Sequence, residues 1–321
     1  MSRFGRVALL GRSNVGKSTL LNAALDHPLA IVSPLPQTTR TSLLGVVSRG
    51  DVQLALLDTP GLHQPRSELG RRMNAAAVEA IRQADVRVFV TDVSVVVHAR
   101  RNKGRDKQIA PALEDLELLR MLDGGVPTLL VVNKVDLVAQ KSLLLPYLAS
   151  WQSAYPFASI LPVSCLDRGD VERVLSAIGS LLPEGPAQYS GEDLTDRPMR
   201  YFAAEYVREQ ILLHMRREVP HAVAVSIDAF NETDALVSIA ATLHVEKEGQ
   251  RRILIGKGGS AIRSIGQLAR QRIAELVQKK VHLELFVKTN ARWKSVPRQL
   301  AELGYHGPAT DLTTAPTRKA P

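Results

Sequence analysis

The stretch Gly11-Arg12-Ser13-Asn14-Val15-Gly16-Lys17-Ser18 constrains this chain more than any other. It follows the apolar run Val7-Ala8-Leu9-Leu10 and leads into Thr19-Leu20-Leu21-Asn22-Ala23-Ala24-Leu25, which reads as strand, glycine-bounded loop, helix. The glycines let the backbone turn its N–H groups inward, and the N-terminus of the following helix adds unpaired donors of its own. Together they form a cradle for phosphate. In such a cradle Lys17 sits on the outer phosphates and the Ser18 hydroxyl on Mg2+. A solvated glycine turn is the alternative, and the flanking strand and helix weigh against it.

The downstream strand ends say which nucleotide fits. Leu43–Val47 and Val52–Leu57 read as an antiparallel pair behind the proline-broken loop Ile31–Arg40, and the second strand runs into Asp58-Thr59-Pro60-Gly61. An aspartate at a strand end with a glycine three residues on suits a γ-phosphate sensor: the carboxylate holds a water on Mg2+ and the glycine allows close approach. Val86–Val90 and Thr128–Val132 read as buried strands, the latter ending in Asn133-Lys134-Val135-Asp136. A carboxylate there accepts both the N1–H and the exocyclic amine of guanine, a donor pair adenine lacks. The last strand, Ser159–Val163, delivers Ser164-Cys165-Leu166, a short turn that offers backbone N–H groups to the base oxygen. With helices expected over 71–83, 113–122 and 171–182, the strands alternate with helices in a doubly wound, mostly parallel α/β sheet whose motifs all lie at carboxyl ends of strands.

Charge divides the chain in two. Residues 1–196 carry 21 Lys+Arg and 20 Asp+Glu, residues 197–321 carry 20 and 12, and 250–298 alone holds 12 basic and 2 acidic residues. A neutral first half and a basic second half point to a polyanion as partner of the second half. A further basic run, Arg100-Arg101-Asn102-Lys103-Gly104-Arg105-Asp106-Lys107, reads as a solvated loop, with an RNA contact as the alternative. The single cysteine, Cys165, leaves no internal disulfide and fits a reducing compartment. No signal peptide is expected ahead of the first strand, and no apolar run reaches the ~20 residues that span a bilayer.

After a Pro- and Gly-rich segment, 198–218 reads as a helix, 221–230 and 235–245 as alternating strands, and 251–255 as a short strand or helix. Ile255-Gly256-Lys257-Gly258-Gly259 follows, then a helix over 260–279 and a strand over 281–287. The order is expected to be α-β-β-α-α-β. A G-x-x-G turn leading into a helix clamps a single-stranded RNA backbone, the glycines allowing approach and Lys257 taking a phosphate. Arg263, Arg270, Arg272, Lys279 and Lys280 extend that face, and Arg292-Trp293-Lys294 is a basic–aromatic cluster suited to base stacking, or else an edge-covering tryptophan.

From Arg6 to Tyr305 the chain resembles the Era family of bacterial GTPases, an N-terminal P-loop G domain followed by an α+β type II KH domain. Gln37-Thr38-Thr39-Arg40, Asp58-Thr59-Pro60-Gly61-Leu62-His63, Ala203-Ala204-Glu205-Tyr206-Val207-Arg208-Glu209 and Lys280-Val281-His282-Leu283-Glu284-Leu285 carry the likeness together with the nucleotide motifs. The division expected is a G domain over 1–183, a linker over 184–197, a KH domain over 198–305 and a disordered tail over 306–321. The resemblance implies GTP hydrolysis with Mg2+, Lys17, Thr39 and Gly61 acting in catalysis. Ser18 and Thr39 would ligate the metal, Asp58 through water, while Asn133 and Asp136 hold guanine. It also implies a monomer that binds the 3′ region of 16S rRNA and matures the 30S subunit, in the cytoplasm and peripherally at the inner membrane. Asn14 matches a loop asparagine that helps some relatives bind K+. Ser13, Cys165 and the basic run Arg100–Lys107 depart from the family pattern. Leu62 stands where many GTPases carry a water-orienting glutamine, so slow intrinsic hydrolysis is expected. A vestigial nucleotide site, a phosphate-loop ATPase or helicase, and a double-G-domain ribosome-assembly GTPase are the rivals. The intact motifs, Asn133–Asp136 and the single G-x-x-x-x-G-K-S respectively disfavour them.

Overall fold

The computed structural model describes residues 2–101, 110–122 and 124–306, with backbone alone for 98–101. The chain divides into two compact units. The first takes residues 1–32, 36–63 and 80–196; the second takes 33–35, 64–79 and everything from Arg197 on.

In the first unit, β1 (Arg3–Leu10), the phosphate-type loop and α1 (Lys17–Leu25) follow one another as the motif requires. β2 (Leu43–Arg49) and β3 (Val52–Asp58) form the hairpin. α2 (Glu68–Arg82) begins three residues before the expected start and ends one before the expected end. β4 (Val86–Asp92) and β5 (Thr128–Asn133) are buried along their whole lengths, the continuous apolar pattern of strands covered on both faces. α3 (Ser94–Arg101) and α4 (Leu113–Leu119) lie between them in sequence. The basic run expected as a loop therefore starts inside α3, and its residues 102–109 lie outside the described residues. α5 (Leu144–Gln152), β6 (Ser159–Pro162) and α6 (Arg168–Leu181) complete the unit.

The sheet order is β2-β3-β1-β4-β5-β6, with β2–β3 antiparallel and every other pair parallel. This is the doubly wound arrangement expected. α5 was not legible in the sequence, yet its Trp151 and Tyr147 are fully buried against Phe89, Leu130 and Val132. α6 is capped by Asp167, whose side chain accepts from Asp170 N.

The segment expected as a linker is packed. Gly185 N donates to Ser2 O at 3.0 Å and Val46 N to Leu194 O at 2.9 Å. The buried carboxamide of Gln53 accepts from Gln188 N and Tyr189 N at 2.9 and 3.0 Å and donates to Tyr189 O at 2.9 Å. Residues 184–196 are thus a strap laid on the outer strand pair β2–β3 of the first unit, taking one backbone donor of β2, Val46 N.

The second unit contains α7 (Met199–His214), α8 (Val219–Ala222), β7 (Ala224–Glu232), β8 (Leu236–Val245), α9 (Glu248–Ile255), α10 (Ser260–Val277), β9 (Lys280–Thr289) and α11 (Pro297–Glu302). Its sheet order is β7-β8-β9, antiparallel and then parallel. Along β8 buried and half-exposed residues alternate, so Val237, Ile239, Ala241, Leu243 and Val245 make one face of the core. Ala241, Leu243 and Val245 meet Val207 and Ile211 of α7, Leu254 of α9, and Ile265 and Ala269 of α10.

Two expectations change here. The helix read to 218 stops at His214, and Pro220 falls in the first turn of α8, where its missing N–H is harmless. The segment read over 251–255 as a strand or a short helix is the helix α9: Gln250 Oε1 accepts from Glu246 N and Lys247 N at 3.0 Å, tying off the helix start. Three apolar residues in a row carried too little periodicity to tell helix from strand. The first turns of α2 also belong to this unit. Leu69 and Met73 pack with Ala224, Trp293, Leu300 and Tyr305, and Arg72 Nη1 donates to Tyr305 O at 2.6 Å.

Candidate functional site

The loop Gly11–Ser18 is held open by donors applied to its carbonyls. Lys17 Nζ donates to Gly11 O at 2.9 Å and to Arg12 O at 2.7 Å, Lys134 Nζ to Asn14 O at 2.7 Å, and Asn133 Nδ2 to Val15 O at 2.8 Å. A planar trans peptide points its N–H away from its C=O, so drawing these carbonyls one way turns the following amides the other way. Gly16 makes the turn possible. Its φ is +109°, and a Cβ there would lie 2.1 Å from Asn133 Nδ2. α1 then starts at Lys17 without a side-chain cap, leaving its first N–H groups for an anion. Lys17 is 6% exposed, and burial lowers its pKa to about 8 against the pull of Asp58 and Asp115.

Three oxygen donors meet beside the loop. Ser18 Oγ donates to Asp58 Oδ2 at 2.6 Å and lies 3.0 Å from Thr39 Oγ1, which is 3.3 Å from the same carboxylate oxygen. Asp58 is fully buried. Burial pushes its pKa up, opposed by Lys17 and the two hydroxyls, and its Oδ1 has no partner among the described residues. Hydroxyls with one buried carboxylate are the hard donor set Mg2+ takes at phosphates. Gly61 closes this side: a Cβ there would stand 2.7 Å from Ser13 N and 3.2 Å from the Arg12 carbonyl carbon. Only glycine lets the two loops touch.

Strand-end residues link the remaining motifs. Asn133 Oδ1 accepts from Lys134 N at 2.7 Å and Cys165 N at 2.9 Å, so its amide ties three motif loops together at their backbones. Asp136, in a short 3-10 turn after Lys134, is exposed. Lys134 also pairs with Asp92 at 2.7 Å. Asp170 accepts from Ser164 N at 2.7 Å and so orients the Ser164–Leu166 turn. Cys165 is buried, and burial pushes its thiol up to about 12, which leaves a small space-filling residue.

The glycine turn of the second unit is built differently. Gly256 has φ +74° and is crowded, a Cβ meeting Ala261 at 2.7 Å, while Gly258 and Gly259, at φ +59° and +78°, have nothing within 4 Å of theirs. Lys257 on the turn, Arg263 and Arg270 on α10, and Lys280 opening β9 are all exposed and unpaired among the described residues.

Two families of known proteins match the two units. One described as 50S ribosome-binding GTPase matches residues 6–134, and the KH domain family matches residues 218–294. GTPase Era of Geotalea uraniireducens is 40% identical over 305 residues, covering 94% of this chain and 98% of that protein. The chain belongs to the Era family of GTPases. GTPase Era of Xylella fastidiosa is also 40% identical over 305 residues, with 94% and 97% covered. A crystal structure of Era with MgGDPNP and nucleotides 1506–1542 of 16S ribosomal RNA superposes with TM-score 0.87 at 31% identity, covering 95% of this chain and 100% of that one. Aquifex aeolicus Era, as a variant bound to GDP·AlF4−, gives 0.87 at 32% identity, with 95% and 99% covered.

Against this Era-family frame, some expected residues do not lie where the sequence suggested. Trp293 is fully buried and its indole N–H donates to Ala222 O at 3.1 Å, with Tyr305 stacked at 6.1 Å. It cannot stack a base, and the edge-covering alternative is the nearer one. Lys294 is drawn into a pair with Glu246 at 3.2 Å, and of that cluster Arg292 is exposed. Arg272 turns inward, paired with Glu209 at 2.6 Å and lying over the Tyr206 ring at 4.5 Å, and Lys279 pairs with Glu232 at 2.7 Å. Sequence reasoning missed Asp92, Thr91, Asp115 and Asp170. The signal for Asp92 was its place at the end of β4, in register with Asn133.

Proposed function

We propose that this Era-family GTPase binds GTP with Mg2+ on Gly11–Ser18, hydrolyses it slowly, and binds the 3′ region of 16S rRNA through the Gly256–Gly259 turn, serving 30S subunit maturation. The observation that carries the nucleotide half is the meeting of Ser18, Thr39 and Asp58 within 3.3 Å of one another beside Lys17. In this reading Ser18 and Thr39 ligate the ion, Asp58 holds one of its waters, and the ion neutralises phosphate charge. Lys17 keeps one ammonium proton for the outer phosphates once two are given to the loop carbonyls. Gly61 N–H faces the γ-phosphate, and Asp136 selects guanine while Asn133 braces the loops that surround it. The solved Era complex with MgGDPNP and 16S nucleotides supports both halves of the proposal. We assign the G domain to 1–183 with the strap 184–197 laid against it, and the KH domain to 198–305. Localisation in the cytoplasm, with peripheral membrane contact, belongs to the proposal alone; no helix among the described residues is long and apolar enough to cross a membrane.

Leu62, half-buried against the sheet core, offers no hydrogen bond to a water, so slow turnover follows from Lys17, metal and backbone N–H groups acting without an orienting side chain. Titration with mant-GTP and mant-ATP, with and without Mg2+, tests the site: GTP-selective, Mg2+-dependent binding is expected, and equal affinities sink the guanine reading. Leu62→Ala should leave hydrolysis within about threefold of the parent; a fall of orders of magnitude at unchanged GTP affinity would make Leu62 a participant. Potassium enters through Asn14 alone, and equal rates in KCl and NaCl remove it.

A further inference from the structure

Arg12 is tied to a carboxylate that none of the nucleotide motifs contains. Its Nε donates to Asp115 Oδ1 at 2.8 Å, and Thr91 Oγ1 donates to Asp115 Oδ2 at 2.8 Å. Asp115 stands in the first turn of α4 and is fully buried; Thr91 stands next to last in β4 and is buried as well. The tie therefore runs from the phosphate loop through one helix to the central strands of the sheet.

Its form argues against a purely stabilising role. A buried ion pair repays desolvation when all its donors and acceptors are satisfied. Here the guanidinium binds by Nε alone, and Nη2 is buried with no partner among the described residues. Stability alone would favour a bidentate pair or an apolar contact at this place. The arrangement does fix the position of Arg12 between two groups that act at the terminal phosphate. Arg12 O receives Lys17 Nζ at 2.7 Å, and the Arg12–Ser13 backbone is the wall against which Gly61 packs. The other loop carbonyls, of Asn14 and Val15, are held from Lys134 and Asn133. Among the described residues, the Arg12 stretch has no such brace outside the loop except Asp115.

We propose that Asp115 and Thr91 are positioning residues for GTP: through Arg12 they set the γ-phosphate side of the loop, and so favour GTP over GDP and support hydrolysis. The β-phosphate side, from Val15 to Ser18, is braced independently and should not depend on them. This inference rests on the proposed nucleotide site.

The test uses the full chain and two variants. Thr91→Val removes the hydroxyl, and the double substitution Arg12→Met with Asp115→Leu removes both charges together, so that no buried charge is left unpaired. Affinities for GDP and for a non-hydrolysable GTP analogue are measured by fluorescence titration with Mg2+, alongside single-turnover hydrolysis and thermal unfolding followed by circular dichroism. The double variant is expected to keep its fold and its GDP affinity, while GTP affinity and the hydrolysis rate each fall about tenfold; Thr91→Val should shift both in the same direction by less. Equal losses of GDP and GTP affinity would make the tie mere structural support, and unchanged GTP affinity would remove it from the site altogether; either overturns the inference. If the parent chain itself fails to bind GTP, the nucleotide assignment has failed instead.

Discussion

The two glycine-rich turns of this molecule solve opposite problems. Gly11–Ser18 is braced at four carbonyls by Lys17, Lys134 and Asn133, its glycines are crowded by Val90 O and Asn133, and Gly61 of the partner loop packs on Ser13 and Arg12. Gly256–Gly259 has one crowded glycine at its base and two in open space, with the exposed cation Lys257 on the turn and Arg263 and Arg270 along the helix that follows. A phosphate chain of fixed geometry rewards a loop whose donors are already in place, because no reorganisation is left to oppose binding. A flexible single strand is held by charge and close backbone approach, so its loop can stay open. Preorganisation is expensive in polar contacts, and the chain concentrates it where the ligand is rigid.

The comparison can be broken or sharpened by substitution. The largest effect is expected at Trp293, whose burial makes it core and not part of the open loop's surface. Trp293→Ala should destabilise the second unit by about 3–5 kcal/mol in urea unfolding; a stable variant that had lost RNA affinity would return it to the binding face. At the braced loop, Lys17→Ala removes both carbonyl clamps and the phosphate donor. GTP affinity should fall by about two orders of magnitude, ~3 kcal/mol, with RNA affinity unmoved, as isothermal titration of each ligand would read.

Gly258→Ala tests the open loop. With nothing within 4 Å and φ +59° the strain is backbone only, about 1–2 kcal/mol, whereas the same change at Gly16 meets Asn133 and should abolish nucleotide binding. Similar outcomes at the two glycines would end the contrast. Lys257→Ala should weaken RNA uniformly across sequences and reduce the salt slope of binding by about one unit, leaving RNA-free hydrolysis as it was.

The smallest effect concerns pH. His244 on β8, hydrogen-bonded to Ser226 Oγ at 2.8 Å, has its pKa lowered by burial, with Lys288 adding to the shift and Asp228 opposing it. A depressed folded pKa means the neutral ring contributes stability that is complete above the unfolded value near 6.5 and is lost as pH falls below it. The thermal stability of the second unit should drop as pH falls below about 6.5, and His244→Gln should flatten that slope.

Much of the first unit was legible because its signals are local. A strand-end motif needs only a continuous apolar run and the residues that follow it, and Asp58, Gly61, Asn133 and Asp136 were all singled out that way. Other readings failed because they depended on a partner far along the chain. Residues 184–196 look like a free linker until Gln53 takes their backbone groups. α9 was undecided for a local reason: Ile253-Leu254-Ile255 is too short to show a period, so strand and helix both fit, and the deciding signal, Gln250 tying off Glu246 and Lys247, is a cap.

The same division runs through the binding residues. By itself the sequence determined the phosphate loop, its guanine preference and the basic character of the second half, since these follow from residue type and short spacing. Only the tertiary structure decided which cations are available and what holds the loop. Arg263 and Arg270 face outward while Arg272, on the same helix, is claimed by Glu209 and Tyr206; Trp293 is spent on the core. Asp115, 103 residues from Arg12, reaches it because β4 and α4 fold back to the loop. Charge and hydrogen bonding act over a few ångströms, and which groups come that close is a property of the packed chain.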